Sequence, residues 1–308
     1  MAGEILDNAV KIQWTGGQEH WVDKGDVRLF LWHKQPSEKV PFAGTILFVH
    51  GSSMASQPTF DLQVPGRPSA MDWFAARGFD VWCADNEGYG RSSKHRNINF
   101  DINNGAEDLA PITEYILRNS DSDRLSLYGI SSGALKAALF AQRYPERVER
   151  LALDAFVWTG EGSPTLEQRK QRLAEWSSMN RRPINHAFVK SIFTRDHPDT
   201  ADDVTVAAFA DAILTLDDSV PTGTYVDMCS KLPLIDPLQL QVPTLIMRGE
   251  FDGIASFDDL VEFFKLLPNQ DKQFSVMAGI SHASFQQKNY LTTYHILREF
   301  LSRPPSIY

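Results

Sequence analysis

Cysteine is scarce in this chain, and long apolar runs and an excess of basic charge are missing. Its 308 residues include only two cysteines, Cys83 and Cys229, which are too few for a disulfide framework and belong to no metal-binding pair. No apolar stretch approaches the roughly 20 residues that a membrane-spanning helix requires. The net charge of −9 argues against nucleic acid or an anionic membrane as the main partner.

Signals for secretion and for cofactor binding are also missing. Residues 1–7 contain no basic region followed by an apolar run, so we predict no secretory signal and a cytoplasmic location. The chain has no glycine-rich phosphate loop ending in Lys-Ser/Thr and no cysteine–histidine cluster. We therefore predict no cofactor and no metal, with a small-molecule substrate as the partner. The oligomeric state stays open, with a homodimer as one alternative.

The chain does contain an alternation of strand and helix patterns, in a composition that is ordinary for a globular protein. Continuously apolar runs such as residues 45–49 and 79–84 indicate strands buried on both faces of a parallel sheet. Helical patterns separate them, which is typical of βαβ units. Three alternating segments near the start favour antiparallel strands, at residues 10–14, 20–22 and 27–32. We predict an α/β fold with a mostly parallel central sheet flanked by helices.

Residues 157–236 break this alternation. Four helical segments follow one another there with no convincing strand, and the buried-strand pattern resumes at residues 243–249. A helical stretch between two sheet strands indicates an insertion. We therefore divide the chain into a first core part (1–156), a helical cap (157–236) and a second core part (237–308). The four helical segments of the cap are predicted at 165–178, 185–193, 202–216 and 224–230.

A sharp turn between a strand and a helix is the most informative local pattern. The alternating apolar run from residue 125 ends in Gly129-Ile130-Ser131-Ser132-Gly133, and a helical pattern follows to residue 144. This is the context of a nucleophile elbow, in which the flanking glycines leave room for a strained central serine. A purely structural Gly/Ser turn has the same local sequence. The partners of Ser131 must therefore decide between the two interpretations.

Two downstream loops carry suitable partners for a serine nucleophile. A serine hydroxyl needs a base to accept its proton and a third group to orient that base. Such groups lie on loops at the carboxyl ends of parallel strands, where we find Asp252 and, after the last strand, His282. The order Ser131, Asp252, His282 is the order expected for this type of elbow. Glu250 and Asp154 stay open as alternative acids.

Four motifs in order make the chain similar to the α/β-hydrolase superfamily, in the subgroup with a helical cap. They are His50-Gly51, the loop at residues 85–92 with its two glycines, the elbow, and the Asp252 and His282 loops. The resemblance spans residues 45–301. It implies an oxyanion hole made by the backbone N–H groups of Ser52 and Ser132, with Ser53 as an alternative to Ser52. His50 and the 85–92 loop are interpreted as structural.

The residue at the elbow narrows the chemistry that the resemblance implies. Dehalogenases and epoxide hydrolases of the superfamily carry aspartate there, whereas this chain has serine. We expect hydrolysis of a small carboxylic ester through an acyl-enzyme. Cleavage of a C–C bond in a ring-cleavage-type diketone, acyl transfer to an alcohol, and a ligand receptor without turnover stay open.

The cap is expected to roof the substrate pocket. We predict that three of its residues contact the substrate. Alternatively, an arginine of the cap binds a carboxylate of the substrate, because a planar guanidinium pairs well with a carboxylate. The predicted contact residues are Trp158, Arg181 and Phe193, and the candidate arginines for a carboxylate are Arg181, Arg182 and Arg195.

Overall fold

The computed structural model describes residues 16–304, so the strand predicted at residues 10–14 lies outside the described part. Eight strands form one sheet in the order β1-β2-β4-β3-β5-β6-β9-β10. The first two strands pair antiparallel and the remaining six run parallel. The strands of this sheet are β1 (Gln18–Lys24), β2 (Val27–Lys34), β3 (Gly44–Val49), β4 (Phe79–Ala84), β5 (Leu125–Ile130), β6 (Val148–Asp154), β9 (Thr244–Gly249) and β10 (Lys272–Met277).

Helices pack on both faces of this sheet and cover its apolar side chains. Strands β4 and β5 are buried along their whole length, as their continuous apolar character predicts. The predicted α/β fold with a mostly parallel sheet is confirmed. The helices outside the inserted segment are α1 (Ser56–Phe60), α2 (Ala70–Ala75), α3 (Ile102–Arg118), α4 (Ser132–Arg143), α10 (Phe257–Leu266) and α11 (Tyr290–Leu301).

The residues between β6 and β9 leave the sheet and return to it, since these two strands are direct neighbours in the parallel array. We call residues 157–236 the inserted segment. It holds most of its residues in helices, and the helix predicted at 165–178 is in fact two helices. Its helices are α5 (Pro164–Lys170), α6 (Leu173–Ser177), α7 (His186–Thr194), α8 (Asp203–Leu214) and α9 (Gly223–Ser230).

The expectation that the inserted segment contains no strand was wrong. Two three-residue strands, β7 (Arg181–Pro183) and β8 (Ser219–Pro221), pair antiparallel within it. Each is too short to show an alternating pattern, and their partners are far apart in sequence. Helix α1 was missed for the same reason of length.

The inserted segment has an apolar cluster of its own, which also includes side chains of the core loops. Phe193 and Phe209 meet edge to face within it, and Met54 and Ala283 belong to the same buried cluster. The inserted segment therefore packs directly on the loops at the carboxyl ends of β3 and β10. Within residues 16–304, none of the helices has the length and apolarity needed to cross a membrane.

Candidate active site

Ser131 lies at the sharp turn between β5 and α4, in a backbone conformation that few residues adopt. Its φ is 58° and its ψ is −126°, and its backbone N–H donates to the Asp154 carbonyl at 2.9 Å. A β-carbon at Gly129 would lie 2.3 Å from the Gly133 carbonyl oxygen, and one at Gly133 would lie 2.2 Å from the Val49 oxygen. Both glycines are required because the backbone passes too closely for any side chain.

A continuous chain of hydrogen bonds runs from Ser131 to an acid. The Ser131 hydroxyl lies 3.0 Å from His282 Nε2, and His282 Nδ1 lies 2.9 Å from Asp252 Oδ1. With the proton on Nδ1, the imidazole donates to the carboxylate and accepts from the serine. Burial favours the protonated acid, but His282, and to a lesser degree Arg195, hold the pKa of Asp252 below its ordinary value. This geometry suits a nucleophile, a base and an orienting carboxylate.

Glycine and arginine at the end of β9 bring the acid to the histidine. A β-carbon at Gly249 would lie 2.6 Å from the Ser281 carbonyl oxygen, so the loops after β9 and β10 meet only because this residue is glycine. The Arg248 guanidinium donates to three carbonyl oxygens of the acid loop at 2.9–3.1 Å, those of residues 249, 250 and 252. Sequence reasoning missed Arg248, since an arginine that ends a strand usually faces solvent.

Neither alternative acid contacts His282. Glu250 accepts from the Gly279 N–H at 2.8 Å, on the exposed side of the loop. Asp154 is fully buried and accepts from the Tyr128 hydroxyl at 2.6 Å. Burial, opposed in part by this hydrogen bond, raises the pKa of Asp154 to about 7. The described residues therefore offer Asp252 as the carboxylate that orients the histidine.

Two backbone donors lie at the elbow, Ser52 N–H on the loop after β3 and Ser132 N–H at the start of α4. Within residues 16–304, neither Ser52 N–H nor Ser132 N–H donates a hydrogen bond to the protein backbone, and Ser132 begins helix α4. Free N–H groups at a helix start favour a negative charge. The Ser53 N–H also donates no hydrogen bond in this range, so Ser53 stays open as the alternative to Ser52. Its hydroxyl accepts from Arg182 Nη2 at 2.7 Å and lies 3.2 Å from the Tyr225 hydroxyl.

His50 and the 85–92 loop hold the loop after β3 in place. His50 Nδ1 donates to the Gly51 carbonyl at 2.8 Å, and its Nε2 accepts from the Asn86 N–H at 3.0 Å. Burial, together with the nearby Lys136, places the pKa of His50 well below its ordinary value, so the ring stays neutral. His50 thereby ties the loop after β3 to the loop after β4.

The three predicted contact residues of the inserted segment occupy different surroundings. Trp158 donates from its indole to the Ile235 carbonyl at 3.1 Å and packs against Phe263. Arg181 donates to the Gly88 carbonyl at 2.8 Å and also to Ser219, so its guanidinium nitrogens already have hydrogen-bond partners. Phe193 lies in the apolar cluster that borders the loops of the site. The structure does not bring Trp158 or Arg181 into contact with the triad.

Asp196 was not predicted, yet it lies beside the triad. One of its carboxylate oxygens, one of Asp252 and a His282 ring nitrogen lie within 4.8 Å of one another. Both ring nitrogens of His282 are already hydrogen-bonded to Asp252 and Ser131. Asp196 also pairs with Arg195 at 3.2 Å and borders a cleft of about 400 Å³ between the inserted segment and the acid loop. It carried no sequence signal, because its neighbours are distant in the chain.

Comparison with known proteins agrees with the fold. The family model described as serine aminopeptidase, S33, matches residues 43–289, well over half of the chain. No curated protein matches the sequence.

Solved structures with the same fold cover nearly the whole chain at low identity. E-2-(acetamidomethylene)succinate hydrolase is 19% identical with a TM-score of 0.67, covering 93% of this chain and 100% of its own. Carboxylesterase CesB from Bacillus subtilis is 15% identical with a TM-score of 0.65, covering 95% and 93%. A thermophilic esterase from Thermogutta terrifontis, solved with malate bound, is 19% identical with a TM-score of 0.65, covering 92% and 98%. The chain is an α/β-hydrolase enzyme and belongs to the serine aminopeptidase S33 family.

Proposed function

We propose that this hydrolase cleaves a small carboxylic ester through a covalent acyl-enzyme, with Ser131 as nucleophile, His282 as base and Asp252 as the orienting acid. The observation that carries the proposal is the chain of hydrogen bonds from Ser131 through His282 to Asp252, at 3.0 and 2.9 Å. A hydroxyl held this way next to free helix N–H groups is suited to attack a carbonyl.

The chemistry proceeds in two steps. His282 Nε2 takes the hydroxyl proton as Ser131 Oγ bonds to the ester carbonyl carbon, whose oxygen becomes negative. The N–H groups of Ser52 and Ser132 donate to this oxygen, and each such donor contributes about 3–4 kcal/mol in the transition state. His282 then protonates the departing alcohol, and the acyl group stays on Ser131. Water attacks this acyl-enzyme with His282 again as base, releasing the acid and restoring the serine.

Substrate entry requires a shift of side chains over the nucleophile. Ser131 is only 6% exposed, and the inserted segment contacts the adjoining loop through Arg182 and Tyr225. We therefore expect the inserted segment to move as the substrate enters.

Labelling with a fluorophosphonate, followed by peptide mapping, tests the nucleophile. We expect one label, on Ser131, and none in Ser131→Ala. Ser178→Ala, which changes an exposed serine of the inserted segment, serves as the matched control and should label like the native protein. Labelling elsewhere, or none with the fold intact by circular dichroism, would refute the proposed nucleophile.

Turnover of p-nitrophenyl acetate then separates the alternatives. A hydrolase cycles after its acyl burst, whereas a ligand receptor releases less than about one equivalent of nitrophenol. Added alcohol increases ester product if the protein is an acyltransferase. A diketone cleaved faster than every ester tested would favour the C–C hydrolase instead.

A further inference from the structure

Two arginines of the inserted segment lie over one aromatic ring beside the proposed oxyanion loop, and a third arginine lies nearby. The Arg169 and Arg182 guanidinium carbons each lie 4.2 Å from the centre of the Tyr225 ring. Arg195 is close enough to influence both Tyr225 and Arg169 electrostatically. We call Arg169, Arg182, Arg195 and Tyr225 the arginine cluster.

The positive charge of this cluster is only partly balanced within the described part of the chain. Among residues 16–304, no carboxylate lies within 4.0 Å of the Arg169 or Arg182 guanidinium, and Arg195 pairs only with Asp196. One nitrogen in each arginine is buried without a hydrogen-bond partner in that same range: Arg169 Nη1, Arg182 Nε and Arg195 Nη2. Buried donors and charges without partners are costly, so an incoming acceptor with a negative charge would be stabilised by pairing with them.

Arg150 is a buried arginine outside the cluster and serves as a comparison. Arg150 is 3% exposed, about as buried as Arg182 at 6%, and its Nη1 lies 2.8 Å from the Asp271 carboxylate. A second arginine, Arg303, approaches the other oxygen of the same carboxylate. Arg150 is therefore paired with an acid, whereas Arg169 and Arg182 have no carboxylate partner among residues 16–304.

The charge of the cluster also acts on Tyr225. Burial raises the pKa of this phenol, but Arg169 and Arg182, with the Ser53 hydrogen bond and Arg195, outweigh burial and lower the pKa to about 7. A surrounding that favours phenolate at neutral pH favours other anions for the same reason.

The position of the cluster ties it to the reacting atoms. Arg182 Nη2 donates to the Ser53 hydroxyl at 2.7 Å, and Ser53 follows the proposed oxyanion donor Ser52 directly. On the other side of the cluster, Arg195 pairs with Asp196. A carboxylate oxygen of Asp196 lies within 4.8 Å of a carboxylate oxygen of Asp252 and a ring nitrogen of His282. The cluster therefore lies between the proposed oxyanion loop and the acid–base pair.

We infer that the arginine cluster binds a carboxylate of the substrate, so that the ester carries an anionic group close to the carbonyl that Ser131 attacks. The inference rests on the proposed function and specifies its substrate class. The planar forks of Arg169 and Arg182 suit bidentate pairing with a carboxylate. The unpaired nitrogens gain acceptors when this group enters, and the ligand supplies the missing negative charge.

Two matched pairs of esters test the inference, because the carboxylate belongs to either the acyl or the alcohol side. The first pair is monophenyl glutarate and phenyl pentanoate, and the second is 4-carboxyphenyl acetate and phenyl acetate. We expect kcat/KM to favour the anionic member of at least one pair by about tenfold to a hundredfold, the size of a buried charge-assisted interaction. Equal values within about twofold in both pairs would overturn the inference, because such a ratio is below the tenfold that one good interaction contributes.

Variants of the cluster then locate the source of this preference. Arg182→Met and Arg169→Met should each lower the anionic-to-neutral ratio about tenfold. Arg169 makes no side-chain hydrogen bond among the described residues, so its variant serves where Arg182→Met fails to fold. Arg118→Met is the matched control, since it removes an equal charge from an exposed arginine that pairs with Glu114 on helix α3. A preference that survives both cluster variants would contradict the inference.

Direct binding separates failure of this inference from failure of the proposed function. Glutarate and its uncharged diamide are titrated calorimetrically into Ser131→Ala and into the same protein carrying Arg182→Met or Arg169→Met. Binding of glutarate that is lost in the arginine variants supports the cluster even if no ester is turned over. Absence of glutarate binding overturns the inference while leaving fluorophosphonate labelling of Ser131 as the separate test of catalysis.

Discussion

Gly249 and Ser281 lie so close that a β-carbon on Gly249 would reach within 2.6 Å of the Ser281 carbonyl oxygen. This contact joins the loop that carries Asp252 to the loop that carries His282. Gly249→Ala should push the loops apart and lower kcat for p-nitrophenyl acetate by about tenfold to a hundredfold, the cost of misplacing a catalytic group by about 1 Å. Steady-state kinetics measure the loss.

Gly25→Ala is the control for this variant. Gly25 has a φ of +63° in the turn between β1 and β2, and no atom lies within 4 Å of an added β-carbon. Its substitution should lower the unfolding midpoint through backbone strain while kcat stays unchanged. If Gly249→Ala likewise lost stability but kept its kcat, the loop contact would not position the acid.

Exchanging each candidate acid for its amide tests which one orients His282. Asp252→Asn should lower kcat by about 10³- to 10⁴-fold, because the amide stabilises the wrong tautomer of the imidazole. Asp154→Asn should change kcat by only a few-fold, since Asp154 bonds Tyr128 rather than the histidine. A large loss in Asp154→Asn with normal activity in Asp252→Asn would exchange the two roles. Both variants are assayed at one pH, with circular dichroism to check folding.

Asp154 also affects how stability depends on pH. Its pKa is raised from 3.8 to about 7 in the folded protein, chiefly by burial, so the native state binds its proton more tightly than the unfolded chain does. The stability from this proton is fully present below about pH 4, is lost as the pH rises to about 7, and does not change further above that pH.

Asp154→Asn has no titratable group at this position. From pH 4 to pH 7 the unfolding free energy of the native protein should therefore fall relative to that of the variant. At 1.36 kcal/mol per pKa unit the shift is at most about 4 kcal/mol, and it levels off above pH 7. Urea unfolding at several pH values measures it. A difference that is constant with pH would show that Asp154 titrates normally.

Local patterns account for the parts of the site that the sequence predicted. The glycines around Ser131 and the strand-end positions of Asp252 and His282 depend on a few neighbouring residues and on the direction of parallel strands. These features identified the three side chains that the structure places within hydrogen-bond distance. The same logic predicted the sheet, because buried parallel strands are continuously apolar.

Contacts between distant residues account for what the sequence did not predict. The pairing of β7 with β8 joins segments of three residues that have no pattern of their own. Asp196 lies beside Asp252 and His282, which are distant from it in the chain. Helix α5 has only seven residues, so its pattern could not show that the Arg169 head points inward. Arg182 is also buried, which its position in a three-residue strand could not indicate.

Tyr225 should make the binding of an anionic ester depend on pH. Its phenol faces Arg169 of α5, Arg182 of β7, Arg195 after α7 and the Ser53 hydroxyl, and its pKa is about 7. Above pH 7 the phenolate neutralises part of the cluster, so KM for the anionic ester should rise with pH. The rise by pH 9 is at most about a hundredfold, because one ionisation changes affinity by no more than one decade per pH unit above its pKa. The neutral ester of the pair should show no such rise, which separates this effect from titration of the catalytic groups.

Tyr225→Phe supplies the decisive comparison, because it keeps the ring between the two arginines and removes the ionisable hydroxyl. In this variant the ratio of KM values for the anionic and neutral esters should stay constant between pH 6 and pH 9, close to the low value that the native protein shows below pH 7. The measurement is a set of KM values for both esters across this range. A ratio that rises equally in native protein and Tyr225→Phe would assign the effect to another group, and a ratio that is flat in both would show that Tyr225 stays protonated.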